Sequence, residues 1–134
     1  MAHVSLVSIV VAEYDPAIEF FIDMLGFDLV EDSPASSSAD GTSKRWVVVR
    51  PPGADTGILL ARAAGEDQRA AIGNQTGGRV GFFYQVEDFD ETFHRMEHAG
   101  VRFAEQPRCE PYGQVVVFYD IAGNKWDLLG PVAA

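Results

Sequence analysis

The chain has 134 residues, 47% hydrophobic and 22% charged, which is enough to bury the core of one globular domain. Twenty acidic residues against ten basic ones give a formal charge of −10, which opposes nucleic-acid binding and either favours a cationic ligand modestly or serves solubility alone. No apolar run approaches the roughly 20 residues of a membrane span, and residues 1–11 lack a secretion signal. The single cysteine, Cys109, allows no internal disulfide. We therefore expect a cytoplasmic protein.

The first half of the chain predicts a strand, a helix and three further strands. Residues 4–12 (VSLVSIVVA) are apolar and β-branched, as in a buried strand. Asp15 before Pro16 is typical of a helix N-cap and first helical position, and Gly26 is typical of a helix end. The later strands are predicted at 27–30, Arg45–Arg50 and Gly57–Arg62, with a mobile loop at 31–44 and a turn at 51–53.

The second half repeats this order. Residues 80–86 (VGFFYQV) predict a strand, either Asp88 or Asp90 can cap the following helix, and Gly100 ends it. Three further strands are predicted at 101–104, 114–119 and 125–129.

The two halves superpose with a nearly constant offset, which is 75 residues from Val11 to Val86 and 74 between the closing glycines. A long fixed period with the same element order is the mark of duplicated units. We therefore predict a single domain, 1–134, with a first module at 4–62, a linker at 63–78 and a second module at 79–130. Within the linker, residues 66–72 can form one or two helical turns.

Three stretches resemble a known family: YDPAIEFFIDMLGF, VEDFDETFHRMEHAGVRF and FYDIAGNKWDLL. They are similar to the glyoxalase, bleomycin-resistance and extradiol-dioxygenase superfamily, also called vicinal oxygen chelate proteins. The resemblance implies an α+β fold in which two tandem βαβββ modules form a curved eight-stranded sheet around a cleft, with the helices outside. It also implies a homodimer and, in catalytic members, a divalent metal held by the first and fourth strands of each module.

The register of the duplication locates the four positions that would hold this metal, namely Leu6 and Gly81 on the first strands and Leu59 and Asp127 on the fourth. Leucine and glycine side chains cannot coordinate a cation, and Asp127 alone cannot form a site. His3 stands three residues before Leu6, and since alternate strand residues face opposite sides it is expected to miss the cleft. We predict no metal and no other cofactor.

Three other chemistry-like features have simpler interpretations. His94, Glu97 and His98 spell the HxxEH motif of some zinc proteases, but the apolar residues of this helix define its opposite side. The glycine-rich stretch 73–78 lacks the lysine of a phosphate loop and is predicted to be a turn. Cys109 is predicted to lie in a loop as a nonfunctional thiol.

Strand alternation identifies the side chains that are expected to face the cleft. Asp127 there is expected either to pair with its neighbour Lys125 or, if dry, to act as an acid–base group with a raised pKa. Tyr112 either lines the cleft mouth or shapes its turn. The predicted ligand-binding residues are Ser8, Phe83, Gln85, Tyr112, Lys125 and Asp127. Together with Val4, Leu6, Val10 and Leu129, which the same alternation turns inward, they are expected to form a largely apolar cavity with a few polar groups, as in small-molecule sites.

Three functions fit these features. The first is a metal-free protein, similar to the bleomycin-resistance branch, that binds a small organic molecule. The second is a vicinal-oxygen-chelate lyase, isomerase or dioxygenase, which would use metal ligands placed elsewhere or acid–base chemistry on Asp127. The third is a structural or regulatory module whose cavity is filled. We favour the first because three of the four metal positions lack a donor and the acidic charge suits a cationic compound; catalytic residues are not identified, and whether the protein is an enzyme stays open.

Overall fold

The structure is a computed structural model that describes residues 1–35 and 43–133, and the chain divides into two compact units, Met1–Ile72 and Gly73–Ala134. The elements of the first unit are β1 (Leu6–Val11), α1 (Tyr14–Glu19), a π-helical turn (Phe20–Met24), β2 (Asp28–Pro34), β3 (Arg45–Arg50), β4 (Gly57–Arg62) and α2 (Glu66–Ala71). Those of the second unit are β5 (Val80–Gln85), α3 (Phe89–Ala99), β6 (Arg108–Glu110), β7 (Gly113–Tyr119) and β8 (Lys125–Gly130).

Each unit contains one four-stranded mixed sheet. The strand order is β1-β4-β3-β2 in the first unit and β5-β8-β7-β6 in the second. In both sheets the outer first strand pairs parallel with the fourth, and the other two pairings are antiparallel. With a helix after each first strand, this order confirms the predicted pair of tandem βαβββ modules. No helix in the described ranges combines the length and the apolar character that a membrane crossing requires.

The strand register supports the duplication residue by residue. Ser8 pairs with Leu59 in the first unit, and Phe83 pairs with Asp127 in the second. These are the partners that the sequence offset between the modules predicts. Leu59 and Asp127 therefore occupy equivalent places on their sheets.

In each unit the helix covers one face of the sheet. Alternate residues of β8 are buried, and β1 buries Ile9 and Val11, because strand side chains point to opposite faces in turn. In the first unit the residues with 1% exposure or less include Ile9, Val11, Val47, Val49, Phe21 and Leu25. In the second unit, those with 3% or less include Phe89, Met96, Phe118, Trp126 and Leu128. Each such large side chain contributes about 1.5–3 kcal/mol through burial.

Helix α1 begins earlier than predicted. Glu13 occupies the N-cap without a side-chain hydrogen bond, so the predicted cap at Asp15 is wrong. The ring of Tyr14 is buried, and its hydroxyl accepts a hydrogen bond from the Arg45 backbone N–H at 3.2 Å. This anchoring draws Tyr14 into the first helical position, while Asp15 lies in the first turn and pairs with Arg45 at 2.8 Å.

Strand β2 is longer than the predicted strand at 27–30 and occupies the beginning of the predicted loop. It pairs antiparallel with β3 as far as Pro34 and contains a bulge between Leu29 and Glu31. The polar residues of β2 form a strand because β3 supplies hydrogen-bond partners for their backbone N–H and C=O groups, and this pairing does not depend on the side chains. The rest of the predicted mobile loop, residues 36–42, lies outside the described residues.

The strand predicted at 101–104 is also wrong. Only an isolated bridge joins Phe103 to Phe118, and the paired edge strand is β6, so Cys109 lies in a strand instead of a loop and is exposed. The carboxylate of Glu105 accepts a hydrogen bond from the Val117 backbone N–H at 3.0 Å. A side chain thereby replaces a backbone acceptor between the two paired segments.

The turn between β7 and β8 is organised by Asp120, which is 5% exposed. One carboxylate oxygen accepts the backbone N–H groups of Ala122, Gly123 and Asn124 at 2.9–3.0 Å. The other oxygen accepts the Asn124 side-chain amide at 3.1 Å and the indole N–H of Trp126 at 2.9 Å. This buried cage fixes the start of β8 and, with it, the position of the residues that follow.

Candidate functional site

Four of the six predicted ligand-binding residues lie on one face of the second sheet. Phe83 and Gln85 pair in parallel register with Asp127 and Leu129, and paired residues of neighbouring strands point to the same side. Lys125 shares this side because it is two residues from Asp127 on β8. The opposite side carries the core that packs under α3. We call the face with Phe83, Gln85, Lys125 and Asp127 the open face.

The open face presents an apolar ring beside a carboxylate. The side chain of Phe83 is 64% exposed although its neighbours in the core are almost fully covered. One oxygen of Asp127, Oδ1, is buried and has no hydrogen-bond partner among the described residues. A buried acceptor without a donor costs about 1–3 kcal/mol, which makes such an atom a point where a ligand donor would be favourable.

The electrostatic surroundings of Asp127 favour its neutral form. Burial raises the pKa of its carboxyl above the ordinary value, the nearby Arg108 guanidinium acts in the opposite direction, and the Glu105 carboxylate raises the pKa further. Within the described residues Lys125 forms no ion pair with Asp127, so that interpretation is wrong.

The charged network around Arg108 was not predicted from the sequence. The guanidinium of Arg108 contacts both Glu105 oxygens at 3.1 Å and Glu110 at 2.6 Å, and these carboxylates, with the Tyr112 hydroxyl, raise its pKa above the ordinary value. The acidic, basic and acidic residues at positions 105, 108 and 110 were the feature of the sequence from which this network could have been predicted. They meet because they are close in sequence: Glu105 precedes Arg108 by three residues, and Glu110 follows it by two on β6.

The two remaining predicted residues do not belong to the strands of the open face, although the Tyr112 hydroxyl interacts with Arg108, the cation near Asp127. Tyr112 occupies the turn between β6 and β7, with 64% of its side chain exposed. Ser8 belongs to the first unit, where it is exposed and paired with Leu59. None of the six residues lines the cavities that the structure shows in the first unit.

Gly81 does not leave open space beside its strand. It lies in a bulge between Val80 and Phe82, so strict alternation is interrupted there. A Cβ atom at this position would lie 2.7 Å from the Thr76 methyl group. The glycine is therefore explained by the close approach of the 73–78 turn.

The donor set does not fit the divalent metal of the catalytic family members. Leu6, Leu59 and Gly81 offer no ligand atom beside Asp127. Among the described residues no three His, Cys, Asp or Glu side chains are arranged to hold an ion. His94 and His98 are exposed on α3 as predicted, and His94 Nδ1 lies 2.7 Å from the carbonyl oxygen of Asp90.

Comparison with known proteins agrees with the duplicated fold. Residues 1–128 match the family described as the Glyoxalase/Bleomycin resistance protein/Dioxygenase superfamily. An uncharacterized protein from Shewanella frigidimarina is 45% identical over 124 residues, which are 92% of this chain and 89% of the relative.

Two crystal structures of proteins from Streptomyces sp. CB03234 are similar throughout. TnmS3, an antibiotic binding protein, has a TM-score of 0.77 and 29% identity, with 98% of this chain and 97% of that one covered. A glyoxalase/bleomycin resistance protein has a TM-score of 0.71 and 27% identity, with 95% and 99% covered. With the sequence match across almost its whole length and two βαβββ modules in its fold, the chain belongs to the glyoxalase/bleomycin resistance protein/dioxygenase superfamily.

Proposed function

We propose that this protein binds a small organic molecule through the open face of its second module, in the cleft that the family fold implies. The observation that carries the proposal is the buried Oδ1 of Asp127, which has no hydrogen-bond partner in the described parts of the chain, next to the exposed ring of Phe83. The similarity to an antibiotic binding protein supports a ligand of this size class. The ligand that fits has an apolar ring and a cationic hydrogen-bond donor.

The two residues contribute different parts of the affinity. Covering an exposed phenyl ring gains about 1.5–3 kcal/mol at most, and this term is independent of charge. A ligand ammonium that donates to Asp127 removes the cost of the unmade hydrogen bond, and the formal charge of −10 adds attraction at longer range. A neutral ligand of the same shape obtains only the first contribution in full.

The proposal predicts a definite pH dependence. Because the pKa of Asp127 is raised, its carboxyl becomes neutral at a higher pH than an ordinary aspartate. The affinity for a cationic ligand is therefore highest above that raised pKa and falls as the pH decreases through it. The affinity for a neutral isostere should change little over the same range.

A matched pair of probes tests this site. The full chain is titrated with 2-naphthylmethylamine and with the neutral 2-naphthylmethanol, and binding is followed by amide NMR shifts. We expect the amine to bind about tenfold more tightly, and Asp127→Asn to remove that advantage without weakening the alcohol. Asp55→Asn, an equal change of charge at an exposed loop, is the control. Equal affinities for the two probes, or equal effects of the two variants, would overturn the proposal.

A second candidate, metal-free acid–base catalysis, is favoured by the raised pKa of Asp127. A carboxylate base in an apolar site would accelerate proton removal next to a carbonyl group. The test is the exchange of the methyl protons of 2-acetonaphthone in D₂O. Exchange that the protein accelerates and Asp127→Asn abolishes supports catalysis, whereas exchange at the rate of buffer supports binding alone.

We also propose that the protein forms a homodimer in the cytoplasm. Edge strand β2 exposes Leu29 and Val30 at 44% and 43%, and unpaired strand edges favour self-association. A free, exposed Cys109 suits a reducing compartment. Light scattering should give twice the chain mass, with Leu29→Lys shifting it toward one chain. A monomeric wild-type protein would contradict the dimer, and recovery of the protein outside the cytoplasmic fraction would contradict the location.

A further inference from the structure

The exposed side of α3 carries two histidines that the ligand site of the open face does not use. His94 and His98 are four residues apart, so they are neighbours on one side of the helix. Both are exposed, whereas Phe89, Phe93 and Met96 form the buried side of the same helix. An ion in solution can therefore reach both imidazole rings without any movement of the core. We call His94 and His98 the histidine pair.

The ring of His94 is oriented by the backbone of its own helix. Its Nδ1 atom lies 2.7 Å from the carbonyl oxygen of Asp90. A carbonyl oxygen only accepts hydrogen bonds, so Nδ1 carries the proton, and Nε2 of the neutral ring has the electron pair that a metal needs. Histidines that bind metals in proteins almost always donate their other ring N–H to a carbonyl or carboxylate in this way. The backbone thus selects the tautomer of His94 in which Nε2 can bind an ion.

The second ring of the pair is free to adjust. In the described parts of the chain, the side chain of His98 forms no hydrogen bond and no ion pair. The Cβ atoms of helix residues four apart are separated by about 5–6 Å, and a zinc–imidazole bond is about 2.0–2.1 Å long. Two imidazoles at this spacing can meet at one ion, as the two histidines of the HExxH zinc motif do.

The charges around the histidine pair favour a cation. Glu91 and Glu97 lie three residues before and three residues after His94, which places them on the same part of the helix surface. Arg95 lies three residues before His98 and opposes them. Two carboxylates against one guanidinium leave a negative local balance, in a chain whose formal charge is also negative.

We propose that the histidine pair binds a divalent transition-metal ion of the zinc class. Imidazole nitrogen suits Ni²⁺, Cu²⁺ and Zn²⁺, whereas Mg²⁺ and Ca²⁺ prefer oxygen ligands. Two protein ligands leave the other coordination positions of the ion to water, so the ion exchanges readily and is accessible to a further ligand. The histidine pair includes none of the four cleft positions, whose donor set does not fit a metal. It also does not depend on the ligand site proposed for the open face.

Nitrogen NMR of the imidazole rings tests the site directly. The full chain, purified without a histidine tag, is titrated with Zn²⁺ at about pH 7.5 and followed by long-range ¹H–¹⁵N spectra. The chain contains three histidines, so His3 is an internal control. We expect the rings of His94 and His98 to shift together and to saturate with a Kd of about 0.1 mM, while His3 stays unchanged. Mg²⁺ at about 10 mM should shift none of the rings. Equal shifts of all three histidines, a shift of His94 without His98, or no saturation below about 1 mM Zn²⁺ would overturn the proposal.

Variants distinguish a paired site from single exposed histidines. His94→Ala and His98→Ala should each weaken Zn²⁺ binding about tenfold. The double variant His98→Ala with Ala99→His keeps three histidines and the same formal charge, but it places the two rings five residues apart and so on different sides of the helix. It should lose as much affinity as His98→Ala alone, and circular dichroism checks that α3 remains folded. Wild-type affinity in this double variant would show that pairing is not needed and would overturn the proposal.

Discussion

Two aspartates in the same short stretch of the second module have opposite environments. The carboxylate of Asp120 accepts hydrogen bonds from five donors and is buried, so all its capacity is used by the fold. Asp127 retains an oxygen without a partner among the described residues. Strand β8 begins at Lys125, five residues after Asp120, and Asp127 projects from that strand. The first aspartate is structural, and the second is the one that we propose contacts a ligand.

Replacing Asp120 should therefore destabilise the protein severely. Asp120→Ala leaves the buried donors of Asn124 and Trp126 without acceptors, and we expect a loss of about 3 kcal/mol in the free energy of unfolding. Asp120→Asn keeps one acceptor oxygen and should cost less, about 1–2 kcal/mol. Urea denaturation followed by circular dichroism measures both, with Asp55→Ala as the exposed control. A loss as small as that of the control would show that the cage is not stabilising.

Asp127→Asn should have the opposite effect at neutral pH. An acid whose pKa is raised in the folded state contributes stability at low pH and loses that contribution as the pH rises through the raised pKa. Removing the charge should therefore increase the free energy of unfolding at pH 7, by up to about 1 kcal/mol. The difference from wild type should shrink as the pH is lowered toward the raised pKa. A variant that is less stable than wild type at pH 7 would contradict the burial of this carboxyl.

The location of Asp127 was predictable and its surroundings were not. Because the modules are duplicated, counting from Leu59 identified the equivalent position, and the strand register agrees. The partners Glu105 and Arg108 come from a segment that is paired by its neighbour β7 and has little strand signal of its own. Sequence periodicity reports which side of a strand is buried, whereas an electrostatic environment depends on which distant strands meet.

At the scale of elements, the strands with apolar, β-branched residues follow the sequence closely. Arg45–Arg50 and Gly57–Arg62 have the predicted bounds because each contains a run of apolar residues that is largely buried. The edge strands β2 and β6 differ from the predicted strands, because backbone pairing with a neighbouring strand decides their extent more than side-chain burial does. The N-terminal end of α1 differs for a similar reason, since the burial of Tyr14 outweighs the preference of Asp15 for a cap.

Helix α3 resolves an alternative that the sequence left open. Asp88 is the N-cap, and its carboxylate accepts the Glu91 backbone N–H at 3.0 Å, while Asp90 lies exposed in the first turn. Asp88→Ala should cost about 1 kcal/mol in the free energy of unfolding, and Asp90→Ala only a few tenths of that value. Thermal and urea unfolding of the two variants, which carry equal charges, measures the difference. Equal losses would indicate that the helix dipole and not the cap bond stabilises this end.

At the scale of the whole molecule, the two modules share the βαβββ fold but carry opposite local charges. The first module places basic side chains around a cavity, and the second places a carboxylate with an unmet acceptor on its open face. Both local arrangements exist within a chain of formal charge −10. The global charge alone indicated only a cationic ligand, because a sum over the chain hides the positions at which charges converge.

The excess acidic charge should make stability depend on salt. At neutral pH the negative charges repel one another in the folded state, and raising NaCl from about 10 to 150 mM shortens the range of this repulsion. The melting temperature should then rise by about 2–4 °C. Near pH 5, closer to the isoelectric point of about 4.5, the same addition should have a smaller effect. A salt response of equal size at both pH values would point to ion exclusion instead of charge repulsion.

The two tryptophans of the chain lie one in each unit, and their surroundings differ. Trp46 is 38% exposed, whereas Trp126 is 3% exposed, donates to Asp120 and stacks on Phe82 with ring centroids 4.9 Å apart. Their fluorescence emission should therefore differ in wavelength, and each emission reports on a different module. Trp46→Phe and Trp126→Phe variants would let the two halves be observed separately during unfolding. Coincident transitions would mean that the duplicated modules melt as one cooperative body, and separate transitions that each has kept the independence of its single-module ancestor.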